Sequence, residues 1–320
     1  MRDPFHEGER ELQALAGSLE QSDVLGSRGM REAMPDQQRE FFARLPFVLV
    51  GSTGDGGQPH ASLLAGPPGF LSSPDPRHLV VAARPHAADP LAGVLRPGAA
   101  LGVLGIEPHT RRRNRLNGFV SEVTAAGFAI EAQQSFGNCP KYIQARRASW
   151  VTGAHESAGA ARRMARLDPV ATRMIAAADT FYIASAYPAE PGDATPAHGV
   201  DVSHRGGKPG FVRIDRSADA DVLTVPDFSG NGLFNTLGNL ALHPRAGLLF
   251  IDYERGDLLH VATDAQIIRD GRELESFAGA ERLLALRVRE ALLVERALSL
   301  HWTESELSPF LLETGAWSER

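Results

Sequence analysis

The feature that most constrains this chain is that it runs through one order of sequence features twice. The β-rich stretch Phe47-Val48-Leu49-Val50-Gly51-Ser52 recurs in kind as Phe181-Tyr182-Ile183-Ala184-Ser185-Ala186. Each follows a helix-like segment, Asp36 to Leu45 and Asp168 to Ala178. Pro68-Gly69-Phe70 is answered by Pro209-Gly210-Phe211, and Leu95-Arg96-Pro97-Gly98-Ala99 by Leu242-His243-Pro244-Arg245-Ala246. The last pair leads into apolar runs closed by Ile106-Glu107 and Tyr253-Glu254. Phe47 and Phe181 are 134 residues apart, Gly69 and Gly210 141, and Pro97 and Pro244 147. Order is kept while loops lengthen, which reads as two copies of one β-domain. Two such copies can pack as the subunits of a homodimer would, with a ligand cleft between them.

Within the first copy, strands are expected at His60 to Ala65, His78 to Ala82, Ala100 to Ile106, Asn117 to Val123 and Phe128 to Gln133, separated by Pro/Gly turns. Thr53-Gly54-Asp55-Gly56-Gly57 reads as a hairpin turn, because Asp-Gly tolerates positive φ. Many short strands with frequent turns favour a barrel or sandwich over βαβ units. Glu9 to Leu19 has helical spacing, Glu273 to Arg282 is expected to be helical, and Leu284 to Val288 alternates like a returning strand. The expected layout is mainly β with peripheral helices. It comprises an N-terminal helical extension over 1–40, a first domain over 41–150, a linker over 151–166, and a second domain with a C-terminal extension over 167–320. A length of 320 residues suits two domains.

Composition narrows the function. A net charge of −6 opposes nucleic acid or an anionic membrane as a partner, since both reward a basic surface. No run approaches the ~18 apolar residues of a membrane helix, and Met1 to Glu7 lacks the layout of a secretory signal, so a cytoplasmic protein is expected. A single cysteine, Cys139, rules out an internal disulfide or a site of several thiolates. The histidines show no helical metal spacing, and no Gly-x-Ser-x-Gly elbow is present. Metal and serine hydrolases are therefore disfavoured.

Two glycine motifs also fail as nucleotide loops. Gly51 to Gly56 leads into a strand rather than a helix, and Gly206-Gly207-Lys208 is followed by Pro209 where a hydroxyl should bind magnesium. Polar clusters remain. Arg111 to Arg115 is the densest basic run, and Ser203-His204-Arg205-Gly206-Gly207-Lys208 is the second; each reads either as a solvated loop or as a phosphate contact. Asp227 to Asn239 places Asn, Ser and Thr around a helix start, which suits an anion or simply a capped turn. Gln134 to Tyr142 is a comparable polar run, and Cys139 within it reads either as a small buried residue or as a reactive thiol.

Taken together these residues resemble the pyridoxamine 5'-phosphate oxidase-like family of FMN-binding split β-barrels. The resemblance is clearest over Val202 to Ile268, through Gly210-Phe211-Val212, the Asn/Ser/Thr segment, Leu240 to Ala246 and Leu248-Leu249-Phe250. In the first half, Arg113-Asn114-Arg115-Leu116-Asn117-Gly118 looks like the family's Arg-Gln-x-x-x-Gly strand, and Gln134-Ser135 and Cys139-Pro140-Lys141 like its later segments. The resemblance implies two tandem split β-barrels forming a pseudo-dimer, with FMN between them. It implies Ser203, Arg205, Lys208, Asn231, Asn235 and Thr236 as FMN contacts from the second half, and Arg113, Asn114, Gln134, Ser135 and Lys141 from the first.

The chain departs from the pattern in two places. Ser229 to Asn239 lacks the family's basic clamp, so Arg205, Lys208 or the 111–115 arginines must meet the phosphate. In the first half's equivalent segment Asp89 would repel a phosphate, so one flavin per chain is expected. The functional expectation is an FMN-dependent oxidoreductase acting on a small organic substrate, with NADH or NADPH as candidate electron donor and no catalytic acid or base assigned beyond His204 and His60 as positional candidates. The alternatives are a non-catalytic protein sequestering flavin or haem in the same cleft, and a structural tandem barrel with an empty cleft. Further association into a homodimer is left open.

Overall fold

The computed structural model describes residues 3–152, 159–188, 193, 195 and 197–317. Seven strands make the first sheet: β1 (Phe47–Thr53), β2 (Pro59–Ala65), β3 (Leu71–Ser72), β4 (His78–Val81), β5 (Ala100–Glu107), β6 (Arg112–Val123) and β7 (Phe128–Gly137). Their order across the sheet is β2-β1-β5-β6-β7-β4-β3. After the short strands β8 (Ala148–Trp150) and β9 (Ala161–Met164) comes the second set: β10 (Thr180–Ala186), β11 (Val200–Gly206), β12 (Arg213–Arg216), β13 (Asp221–Phe228), β14 (Arg245–Ile251), β15 (Leu258–Ile268) and β16 (Ala280–Val294). Its order, β11-β10-β14-β15-β16-β13-β12, reproduces the first strand for strand. The fold is mainly β, two split-barrel halves with peripheral helices.

The period-two alternation of a strand decides where each half puts its apolar side chains. In β1, Val48 and Val50 enter the core of the first half, while Phe47 and Leu49 point the other way. In β10, Phe181 and Ile183 enter the core of the second half, and Tyr182 and Ala184 point outward. The outward sets meet in a third apolar core at the seam, capped by Trp302 of β17 (Leu300–Trp302), the partner strand of β8. Two glycines permit the close approach. A Cβ on Gly102 would lie 2.3 Å from the Val200 carbonyl oxygen, and one on Gly247 2.2 Å from that of Pro59.

The registers refine the expected repeat. Gly51 faces Gly102, and Ala184 faces Gly247. Equivalent positions of β1 and β10 therefore differ by 133 residues, not 134. The turns after β2 and β11 do match at 141: Gly69 and Gly210 both have positive φ, and Phe70 and Phe211 both donate back to the residue three before them.

The helices are α1 (Glu7–Leu15), α2 (Leu19–Gly29), α3 (Asp36–Arg44), α4 (Pro169–Ala177), α5 (Asn235–Leu242) and α6 (Arg272–Glu275). Three local expectations change. The helix expected from Glu9 to Leu19 stops at Leu15, where Gly17 at φ 66° lets the chain turn back into α2. The segment from Glu273 to Arg282 is helical only to Glu275 and is in strand β16 from Ala280, where Ala280 and Arg282 face Phe228 and Asp227 of β13. The basic run at 112–115 is not a loop but the start of β6. Of the expected linker, residues 153–158 lie outside the described residues, and Ala161–Met164 adds a strand beside β16.

Candidate functional site

A cavity of about 270 Å³ opens where β6 of the first half meets β11 and the start of α5 from the second. Arg113 and Arg115 are two apart in β6 and reach it from the same face, whereas Asn114 lies on the other face of the strand. Arg115 is 1% exposed. Its Nη1 donates to Asp201 Oδ1 at 2.9 Å and its Nη2 to Ser203 Oγ. Its Nε is buried and has no partner among the described residues. An unmet buried donor costs about 1–3 kcal/mol, which the two bonds of the same guanidinium to Asp201 and Ser203 offset.

Asp201 is held in place from three sides, accepting from Asn117 Nδ2 at 2.8 Å and from Asn239 Nδ2 at 2.8 Å besides Arg115. Ser203 Oγ also accepts from Thr236 Oγ1 at 2.9 Å, which ties β11 to α5. Across the cavity Asp227, 3% exposed, is shared by Arg205 at 2.8 Å and Arg282 at 3.0 Å. Arg205 thus brings a half-neutralised charge, and its Nε is likewise buried without a partner.

Arg113 differs. Its Nε donates to the Cys139 carbonyl oxygen, and no carboxylate pairs with it among the described residues. Burial, reinforced by the like charges of Arg115 and Arg205, pushes its pKa down to about 10, which leaves it cationic at neutral pH. It is the least compensated charge of the cavity.

The start of α5 adds a second attraction for anions. Phe234, at φ 62°, turns the chain into the helix with no side-chain cap, so the first backbone N–H groups and the positive end of the helix face the cavity loop. His204 also lines the cavity. Burial, then Arg113, Arg146 and Arg205, hold its pKa well below the usual histidine range, so the ring is neutral.

Of the residues singled out from the sequence, Arg113, Ser203, Arg205, Asn231, Asn235 and Thr236 come together here. Asn231 braces the loop, donating to Asn138 Oδ1 at 3.1 Å and accepting from the Leu233 N–H. The rest are engaged elsewhere. Lys208 Nζ donates to the Thr314 carbonyl oxygen at 2.6 Å, and Lys141 lies over the Phe310 ring. Gln134 donates to the Pro4 carbonyl oxygen at 3.0 Å, and Ser135 Oγ to Gln38. Nothing in the sequence marked Asp201 or Arg282, Asp227 was marked only as the start of a polar segment, and Arg115 only within the 111–115 run. The spacings 113/115/117 and 201/203/205 were the available signal: three polar residues on one face of a strand in an otherwise apolar sheet.

The pseudo-equivalent seat on the other side of the seam is built differently. Ser62 faces Val50 of β1, as Ser203 faces Ile183 of β10. His260 faces Leu249, as Arg115 faces Leu104. Here the carboxylate of Asp89 fills the place: it accepts from Ser62 Oγ at 2.5 Å and from the Leu91 N–H at 2.9 Å, and His260 Nε2 lies 3.7 Å away. A serine beside an arginine has become a serine beside a histidine with a built-in anion. The cavity left there measures about 90 Å³.

No group of three or more His, Cys, Asp or Glu side chains is placed to hold a metal ion among the described residues. No helix among them is long and apolar enough to cross a membrane.

No family model matches the sequence, and no curated relative matches it. Among solved structures, the chain is similar to a putative pyridoxamine 5'-phosphate oxidase from Lactobacillus delbrueckii, at 11% identity and a TM-score of 0.31, over 40% of this chain and 94% of that one. HupZ from Group A Streptococcus matches at 11% identity and 0.28, over 38% and 89%. HutZ, the haem storage protein from Vibrio cholerae, matches at 14% and 0.27, over 41% and 95%.

Proposed function

We propose that the protein binds FMN in the cavity between its halves and acts as an FMN-dependent oxidoreductase on a small organic substrate. The observation that carries this reading is Arg113, a cavity-lining arginine that no carboxylate pairs with among the described residues, set beside Ser203 and the uncapped start of α5. Together they make a seat for a doubly charged phosphate. A volume of about 270 Å³ is at the lower edge of the roughly 300–1,000 Å³ usual for small-molecule sites. It suits a phosphate with its ribityl chain better than a fully enclosed three-ring system.

In this reading Arg113, Arg115 and Ser203 hold the phosphate, Asn231 and Asn235 shape the loop around it, and both halves exclude water. FMN would supply the hydride chemistry, with NADH or NADPH as electron donor. Neutral His204 can orient a ligand by a hydrogen bond but is not charged to act as an acid at neutral pH.

The test is titration with FMN, followed by flavin absorbance and fluorescence quenching. Arg113→Ala and Ser203→Ala are expected to weaken binding at least about tenfold, the worth of one to two charge-assisted hydrogen bonds. Lys208→Ala, whose side chain is tied to Thr314, should leave binding within about twofold. A wild-type protein that takes up no FMN sinks the proposal. The rival reading, sequestration without catalysis, predicts bound flavin that neither NADH nor NADPH reduces.

A further inference from the structure

The N-terminal helices are not an appendage. Helix α1 lies on α5 at a contact where neither helix has room for a side chain: a Cβ on Gly8 would fall 2.4 Å from the Gly238 carbonyl oxygen, and one on Gly238 2.7 Å from the Glu9 nitrogen. Polar pins flank it. His6 Nε2 lies 3.0 Å from Asn239 Oδ1, and Asn235 Nδ2 donates to buried Glu9 at 2.5 Å. Gln13 Nε2 donates to the Leu233 carbonyl oxygen at 3.2 Å, and Ser22 Oγ to that of Gly232 at 3.0 Å. These pins grip the loop that forms the start of α5.

The same segment is fastened to the first half. The Pro4 carbonyl oxygen accepts from Gln134, and Arg31 pairs with Ser135 through both backbone N–H groups at 3.0 and 2.7 Å. Between these anchors Ala16, Ser18 and Gln21 form part of the cavity wall. The chain thus crosses the seam over the ligand seat. His6 continues inward through Asn239 to Asp201, the carboxylate that aims Arg115.

We propose that the hairpin of α1 and α2 is a third component of the ligand site, a strap whose docking across both halves is linked to occupancy of the cavity. Gln13 and Ser22 are positioning residues: they hold the Gly232-Leu233 loop, and through it the first N–H groups of α5, in the geometry an anion needs. Binding and docking then strengthen each other by one common factor. The inference rests on the reading that the cavity takes FMN.

Two measurements on the full chain test it. Arg28 and Arg31 are exposed on the strap, so tryptic cleavage there reports undocking; saturating FMN should slow it at least about fivefold, the low end of usual coupling between sites. Gln13→Ala with Ser22→Ala should weaken FMN binding by a similar factor, shorten the protection FMN confers, and leave the thermal transition of the sheets in place. Gly8→Val, which forces α1 off α5, should do the same more strongly; if it fails to fold, the milder pair decides. Unchanged FMN affinity in that pair, or cleavage indifferent to FMN, overturns the strap. Should wild-type protein bind no FMN, that failure belongs to the proposed function. Cleavage is then measured with inorganic phosphate, and absence of protection again overturns the strap.

Discussion

Arg115 of the first half and Asp201 of the second form a 2.9 Å ion pair across the seam, with side chains 2% and 11% exposed. It is the point at which the two copies cease to be interchangeable, because the equivalent of Arg115 is His260. Arg115→Ala leaves a carboxylate buried with only amide partners, and should cost about 3–5 kcal/mol of stability in urea unfolding. Asp201→Asn in that background should return part of the loss. If the two single effects simply add, the pair is not coupled and the seam is held by its apolar core alone.

In the proposed site Asp227 would oppose a bound phosphate as well as brace the arginines, since its carboxylate draws on both Arg205 and Arg282. Asp227→Asn frees their charge and should tighten FMN binding severalfold, with a steeper fall in affinity as salt is raised. Weaker binding would show that orienting the arginines matters more than releasing them.

One flavin per chain is expected, because Asp89 already fills the other seat. Equilibrium dialysis should saturate at one FMN per chain. A second equivalent of comparable affinity would contradict the role given to Asp89.

His60 links stability to pH. Burial, and then the neighbouring His260, push its pKa from 6.5 down to about 4 in the folded protein. The unfolded chain takes up the proton as pH falls through 6.5, while the folded one resists until about 4, so stability is lost across that window and levels off below it. The shift corresponds to about 3 kcal/mol as an upper limit. His60→Gln should flatten the dependence relative to wild type between pH 7.5 and 5 in denaturant unfolding, and an unchanged slope would place the acid sensitivity elsewhere.

Much of the fold was legible because it follows from local rules. The strand of Phe47 and its neighbours, the turn at Asp55-Gly56 and the Pro-Gly-Phe corners are each specified by residues close in sequence, and their repetition already announced two halves. The helix expected at Glu273 to Arg282 failed for the converse reason: the end of the segment pairs with β13, a strand about fifty residues earlier, and that pairing overrides local preference. Lys208 was expected at the phosphate from the family resemblance, but Thr314, whose carbonyl oxygen ties it down, lies about a hundred residues later in the chain.

By itself, the sequence determined the class of fold, the duplicated order of its parts, and which segments carry polar residues fit for an anion. Only the tertiary structure decided which of those residues meet. Arg115 reaches Ser203, Asp89 reaches Ser62, and Gln134 turns to Pro4 because strand register and the packing of the two halves bring together positions that no local rule relates. A shift of one residue in β6, β2 or β7 would send Arg115, Ser62 or Gln134 respectively to the opposite face.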